Sequence, residues 1–195
     1  YIIKRLRYNK CVKTNKSCTL IFLEVNHEKE YRKRNGTLSH ARHRGGRNGG
    51  GKPTWTLVAH MGIPSHDMAM VSLAKAHYIN RGIRENRVLS INVVDESWLE
   101  KAAATGAVSG NKTDKSELLG YTVGETGAPL ATDAKLTMEC TVADVYETPA
   151  FENFMVKVNN TFADESVLNE KGDKPDFDKF KPVLFEMPGY TYLKT

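Results

Sequence analysis

The side chains with the clearest chemical potential lie in a polar, basic segment at residues 74–86, between two apolar runs. The run MAMVSL before it and the run VLSINVV after it are typical of buried β-strands. Ile79 and Ile83 are one helical turn apart around Gly82, which predicts a short helix that begins in this segment. A helix N-terminus presents free N–H groups and the positive end of its dipole, and Lys75 adds a full charge. The pattern predicts an anion site, with a solvated basic helix face as the alternative.

No other group of side chains has the spacing of a catalytic or metal site. His60, His66 and His77 do not fall at metal-ligand spacings, and the three cysteines form neither a ligand pattern nor an even disulfide set. We interpret the adjacent His66 and Asp67 as a loop hydrogen bond and not as a catalytic dyad. The sequence therefore predicts no catalytic residue and no metal.

The length and composition indicate one domain. A chain of 195 residues can bury one substantial core. No apolar run approaches the length of a membrane span, and the first residues lack the regions of a signal peptide. We therefore predict a cytoplasmic protein without a membrane partner.

The charge is concentrated at the N-terminus, where residues 1–52 hold 14 of the 28 Lys and Arg but 3 of the 23 Asp and Glu. Residues 1–50 show little periodicity, so a flexible basic arm that could bind nucleic acid is one interpretation. The other is an out-of-frame segment: a one-base shift that begins within the codon of His27 lets HEKEYRKRNGTLSHA encode MKKNIENGMERYRMP. We expect residues 1–50 to be disordered or out of frame and residues 51–195 to form the domain.

Strands outnumber helices in the rest of the chain. TWTLVAH, MAMVSL, VLSINVV, KLTMECTVADVYE, ENFMVKVNNTFADESVL and VLFEM read as strands, with a bulge near Ala143. Asp95 and Ser97 precede a helix in WLEKAAATGA, and GIPSHD reads as a loop. KGDKPDFDKFKP reads as a turn with a short helical piece. The long strands alternate between apolar and polar residues, which leaves one face of the sheet exposed to water. We therefore predict a mainly β protein, an antiparallel barrel with one to three short helices.

The ordered motifs from Gly51 to Thr195 resemble the flavin reductase-like proteins with an FMN-binding split β-barrel, the group that includes flavoredoxin. The matching segments are GKPTWTLVAH, SLAKAHYINRGIREN, LSINV, VSGNKTDKS, MECTV, FADESVLNEKGDKPD and MPGYTYLKT. The chain departs from the family pattern at Thr54, His60 and Ile79. Family members continue past the position of Thr195, so the resemblance implies a truncated C-terminus.

The resemblance turns the basic segment into an expected FMN phosphate site. Lys75 would supply charge, Ser72 and Asn80 neutral hydrogen bonds, and a second loop lysines for the phosphate or ribityl chain. The isoalloxazine would lie in an apolar slot. The full set of expected cofactor contacts is Thr56, Leu57, Ser72, Leu73, Ala74, Lys75, His77, Tyr78, Asn80, Lys112, Lys115 and Tyr192. For each lysine of the second loop, ordinary exposure to solvent is the alternative.

The resemblance implies an FMN-dependent oxidoreductase, in which a hydride passes from NADH or NADPH to the flavin N5 and electrons continue to an acceptor. No G-x-G-x-x-G is present, so a Rossmann nicotinamide site is not expected. The resemblance also implies a homodimer with flavin near the interface. A non-catalytic flavin or electron-carrier protein on the same barrel is the second hypothesis, and nucleic-acid binding through the basic arm is the least favoured.

Overall fold

The computed structural model describes residues 32–33, 52–186, 189 and 191–194. The predicted N-terminal segment, residues 1–50, lies outside the described residues except at positions 32–33. The elements in chain order are β1 (Arg32–Lys33), β2 (Met61–Ser65), β3 (Met68–Ala74), α1 (Ile79–Asn86), β4 (Val88–Asn92), α2 (Leu99–Ala107), the 3-10 turn η1 (Lys115–Glu117), β5 (Tyr121–Val123), β6 (Pro129–Ala131), β7 (Leu136–Glu147), β8 (Phe151–Ala163), the 3-10 turn η2 (Glu165–Val167), β9 (Leu184–Glu186) and β10 (Thr191–Leu193).

The main sheet has the order β2-β3-β8-β7-β4 with antiparallel neighbours, and β1 pairs parallel with the end of β8. β5 with β6 and β9 with β10 form two further antiparallel pairs. Together with the two α-helices of the described residues, this arrangement confirms the predicted mainly β, antiparallel class. Neither of these helices is long and apolar enough to cross a bilayer.

Strict alternation of side chains places β3 at the centre of the core. Ala69, Val71 and Leu73 are buried, and the residues between them are only partly covered. The three buried residues pack in one cluster with residues of α1, β4, β7 and β8: Ile83, Leu89, Cys140, Val142, Phe154 and Val156. A second cluster lies under α2 and consists of Trp55, Trp98, Ala102, Leu119, Ala131 and Ala134.

The long β7–β8 pairing contains the predicted bulge. The register shifts between Val142 and Asp144, so Ala143 is the extra residue, as expected from the break in alternation. A second shift, not predicted, leaves Asn159 of β8 between the partners of Glu139 and Cys140. Bulges of this kind increase the local twist and help a sheet to curl into a barrel.

The first predicted strand was wrong by several residues. TWTLVAH, residues 54–60, forms no strand, whereas β2 occupies most of the predicted GIPSHD loop. The physical reason is that the carbonyl of Trp55 accepts a hydrogen bond from a lysine side chain, Lys115, and not from a neighbouring strand. Trp55 packs under α2, so its burial does not indicate that it belongs to a β-strand.

The end of β8 and the segment after it also differ from the prediction. β8 ends at Ala163, because Asp164 accepts from the amide of Ser166 at 2.8 Å and caps η2. The predicted helical piece in residues 171–182 is a series of turns. Aspartates that bond to an amide two residues later compete with both helix and strand.

A buried carboxylate fastens the hairpin of β5 and β6 to the main sheet. Glu139 of β7 is 0 % exposed, and its Oε1 accepts from the amide of Thr126 at 2.6 Å and from the Thr126 hydroxyl at 2.8 Å. Its Oε2 accepts from Asn160 Nδ2 at 2.9 Å. A Cβ on Gly124 would lie 2.1 Å from Oε1, so only glycine fits where the turn passes the carboxylate.

We expect Gly124→Ala to lower the free energy of unfolding by about 2 kcal/mol, because the added methyl group overlaps a buried, fully bonded carboxylate. The matched control is Gly82→Ala in α1, where an added Cβ meets no described atom within 4 Å. That change should stabilise the protein by up to about 1 kcal/mol through helix propensity. Urea unfolding midpoints compare the two variants, and equal midpoints would contradict the packing of Glu139 against this turn.

Candidate functional site

An open depression of about 470 Å³ lies beside the turn between β3 and α1. It is lined by Lys75, His77, Tyr78, Asn80, Arg81, Arg84, Glu85 and Glu152. The structure therefore brings together four of the expected phosphate contacts. Ser72 and Ala74, which precede them on β3, do not line it.

The turn beside the depression is held by its own backbone and by one buried amide. Asn80 is 4 % exposed and donates its side-chain N–H to the Ala74 carbonyl at 3.1 Å. The amide of His77 donates to the same carbonyl at 2.9 Å, and the amide of Lys75 donates to Ala150 at 3.0 Å. Asn80 thus builds the turn, and these amides are already used.

The beginning of α1 keeps its positive end uncompensated. Its N-cap residue, Tyr78, makes no side-chain capping hydrogen bond, and the first turn contains no acidic residue. The amides of Asn80 and Arg81 already donate to the His77 and Tyr78 carbonyls, at 3.2 and 3.3 Å, so it is the helix dipole that favours an anion at this position. The basic turn that opens a short helix is thus as predicted from the sequence, whereas the predicted free N–H groups are in part already bonded.

Two carboxylates from β7 and β8 reach the cations of the depression. Glu147 lies 2.9 Å from Lys75 Nζ and 2.5 Å from Arg84 Nη2, and Glu152 lies 2.7 Å from Arg84 Nη2. The pKa of Glu147 is lowered by its hydrogen bond with Lys75 and then by that with Arg84. The pKa of Arg84 is raised, first by Glu152 and then by Glu147.

Arg84 was not among the expected contacts. The signal that could have identified it is its position four residues after Asn80, on the same face of α1. Its two acidic partners could not be found in this way, because they lie 63 and 68 residues further along the chain.

A larger, mainly apolar cavity of about 1500 Å³ adjoins this region and extends into the core between β3 and β4. It is wider than the 300–1,000 Å³ of common ligand pockets. Among the residues that line it are the expected flavin contacts Thr56, Leu57, Leu73, His77 and Tyr192. His77 lines both the cavity and the depression. The expected ring contacts that line the cavity and the expected phosphate contacts that line the depression therefore occupy two adjacent spaces, and His77 lines both.

The second lysine loop has two different environments. Lys112 is exposed and lines neither the cavity nor the depression. Lys115 is 5 % exposed, and its Nζ donates to the carbonyls of Trp55 and Thr105, both at 2.6 Å. Burial lowers the pKa of Lys115. Lys115 therefore connects the cavity wall at Trp55 to α2. The alternative of an ordinary solvent-exposed lysine is wrong for this residue.

A second connection from the same loop joins Asp114 to Lys52. The hydrogen bond from Lys52, followed by that from the Ser116 hydroxyl, lowers the pKa of Asp114 to about 2. Gly110 lies so close to Thr54 that a Cβ there would come within 2.4 Å of the Thr54 hydroxyl. The loop is thus fastened along residues 52–55, which line the large cavity.

We expect Lys115→Met to lower the free energy of unfolding by about 2 kcal/mol, because two buried carbonyls lose their donor. Chemical denaturation measures the loss. Lys112→Met removes the same charge from an exposed position of the same loop and should change stability by less than about 0.5 kcal/mol. A Lys115→Met variant as stable as wild type would contradict the connecting role.

Comparison with known proteins places the chain in a family. Residues 37–193 match the model described as a flavin reductase like domain; the match begins at residue 37, whereas the domain boundary predicted from the sequence is residue 51. Flavoredoxin from Methanosarcina acetivorans aligns with a TM-score of 0.71 and 30% identity, covering 76% of this chain and 80% of that chain. Flavoredoxin of Desulfovibrio vulgaris (Miyazaki F) aligns with a TM-score of 0.68 and 28% identity, covering 74% and 79% respectively.

An FMN-binding protein from Thermus thermophilus, solved with 1-cyclohex-2-enone, shares the fold with a TM-score of 0.66 and 19% identity over 75% of this chain and 81% of that chain. No curated protein sequence matches. The neighbours are flavin reductase-like split barrels, which confirms the predicted split β-barrel. Because the family model covers most of the sequence and the fold agrees, the chain belongs to the flavin reductase-like family.

Proposed function

We propose that this protein is an FMN-binding oxidoreductase that passes electrons from NADH or NADPH through the flavin to an acceptor. The observation that carries the proposal is the junction at His77 between a mainly apolar cavity and a basic depression. An FMN molecule has the same two parts, an apolar ring system and a dianionic phosphate. The family supports a flavin-binding redox protein in the broad sense.

The residues of the depression fit a phosphate group. Lys75 supplies a cation whose side chain is 41% exposed and can reach a ligand, and α1 supplies the positive end of a helix. Arg84 adds a guanidinium, which suits two phosphate oxygens at once. Tyr78 lies at the rim and is 44% exposed. Ser72, Ala74 and Asn80 act indirectly in this proposal by shaping the turn.

The residues of the large cavity fit an aromatic ring. Leu57 and Leu73 offer apolar surface, Thr56 offers polar backbone and hydroxyl groups, and Tyr192 offers a ring that could stack. Lys115 contributes through Trp55, whose carbonyl it holds in the cavity wall. Lys112 lies outside both spaces, so its expected contact is not part of the proposal.

A bound FMN would supply the redox chemistry, and the protein would bind it, orient it and exclude water. Apolar side chains along the cavity lower the local dielectric, which strengthens the interactions of each hydrogen bond to the ring. The basic depression would hold the phosphate end of FMN, so contacts at both ends of the ligand would orient the ring. An open face of the ring would receive the nicotinamide.

The proposal includes a homodimer, as the resemblance implies. Tyr121 and Val123 of β5 are 39% and 55% exposed, and Tyr192 and Leu193 of β10 are 39% and 42% exposed. Exposed apolar residues of this size are common in subunit interfaces. Nucleic-acid binding through the basic arm, residues 1–50, stays a prediction, since that segment lies outside the described residues except at positions 32–33.

We expect FMN added to the purified protein to show shifted absorption bands and quenched fluorescence, and Lys75→Met to weaken FMN binding about tenfold or more, because a charged hydrogen bond to phosphate is lost. Riboflavin, which lacks the phosphate, should bind both forms equally. Lys112→Met is the matched control and should leave FMN affinity within about twofold. Equal FMN affinity of wild type and Lys75→Met would remove the phosphate assignment.

We expect the FMN-loaded protein to oxidise NADH or NADPH steadily in the presence of free flavin or ferric iron as acceptor. The decrease in reduced-nicotinamide absorbance measures this rate, and the two nicotinamides are compared at equal concentration. Retained flavin without steady oxidation would favour the alternative, a non-catalytic electron carrier on the same barrel.

A further inference from the structure

We propose that Glu147 sets the ligand specificity of the basic depression by occupying, with its own carboxylate, the position that a ligand phosphate would take. This inference rests on the proposed function, because it concerns Lys75 and Arg84, two cations that line the same depression, whereas Glu147 lies against them from outside the lining. Its consequence is that the site accepts a terminal dianion and gives no advantage to a flavin without phosphate.

The geometry of the carboxylate resembles that of a bound anion. One oxygen of Glu147 lies 2.9 Å from Lys75 Nζ and the other lies 2.5 Å from Arg84 Nη2. A single carboxylate thus bridges a cation from the β3–α1 turn and a cation from α1. Two oxygens of a phosphate group would bridge the same pair in the same way.

Burial decides which carboxylate can leave. The side chain of Glu152 is 12% exposed, and its Oε1 accepts from Arg84 Nε at 2.9 Å and from Arg84 Nη2 at 2.7 Å. The side chain of Glu147 is 48% exposed. An exposed carboxylate is rehydrated when it leaves its partners, whereas separating a buried carboxylate from its partner leaves an unpaired charge inside the protein. Glu152 therefore keeps Arg84 oriented, and Glu147 is the group that a ligand displaces.

The backbone does not have to move for this exchange. Thr148 donates its amide to the Phe151 carbonyl at 2.9 Å and so closes the turn between β7 and β8. The amide of Lys75 donates to Ala150 of the same turn at 3.0 Å. The turn and the basic segment are joined by backbone bonds that do not involve the Glu147 side chain, which can rotate into solvent alone.

The exchange discriminates by charge. Glu147 presents one negative charge to the two cations, whereas a phosphate monoester carries about −1.5 to −2 near neutral pH. A singly charged ligand would replace one ion pair by an equivalent one and gain little. A dianion gains additional Coulomb energy, and an uncharged flavin does not compete at all.

The test measures FMN and riboflavin affinities of wild type and Glu147→Gln by fluorescence titration. The variant keeps the shape of the side chain but removes the competing charge, so FMN should bind about fivefold more tightly, the scale of one exposed ion pair. Riboflavin affinity should not change. Asp133→Asn is the matched control: it removes one charge from an exposed pair with Lys101, outside the depression, and should leave both affinities within about twofold.

Each outcome is decisive. A higher ratio of FMN to riboflavin affinity in Glu147→Gln alone supports the inference, and a purely structural role of Glu147 would shift both flavins together. Unchanged or weaker FMN binding in Glu147→Gln, with wild type binding FMN, overturns the inference and leaves the proposed function in place. If neither wild type nor Glu147→Gln binds FMN, both fail.

Discussion

The antiparallel register between β3 and β8 is the constraint on which the candidate site depends. Leu73 faces Glu152 and Ala74 faces Phe151, so the chain leaves β3 beside the turn that joins β7 to β8. This register, together with the pairing of Glu147 with Glu152 across β7 and β8, places Lys75 within reach of Glu147. It also places Glu152 within reach of Arg84 on α1. A slip by one residue would also turn Ala69, Val71 and Leu73 out of the core, so burial of the core and assembly of the site require the same pairing.

The site has two chemically different parts because two kinds of packing meet at the end of β3. One side of the strand faces an apolar cavity that reaches into the core, and the turn after it faces cations and carboxylates. His77 stands at the boundary. In the proposed function, the geometry of one strand end would recognise both parts of an amphiphilic ligand, without a dedicated domain for each part.

Local patterns predicted much of this from the sequence. Strand β3, helices α1 and α2 and the bulge at Ala143 each follow from the alternation or spacing of neighbouring residues. The predicted cap of α2 was wrong, because the helix begins after Trp98 without a side-chain capping bond. The failures involve partners that are distant in sequence. Residues 54–60 have a strand-like pattern, but the hydrogen-bond donor to Trp55 is a side chain 60 residues away. The burial of Lys115 and the two carboxylates around Arg84 are equally non-local, so composition and periodicity could not indicate them.

The hydrogen bonds of Lys115 also determine how the cavity wall can open. Residues 52–60 belong to no strand, although the His60 carbonyl accepts from the Ser72 amide of β3 at 3.0 Å. The Trp55 carbonyl shares one ammonium group, that of Lys115, with the Thr105 carbonyl of α2. Separation of either segment from Lys115 leaves the buried ammonium group with one of its two carbonyl acceptors. We therefore expect opening of the wall at Trp55 and opening of the end of α2 to be coupled, so that their amide protons exchange together.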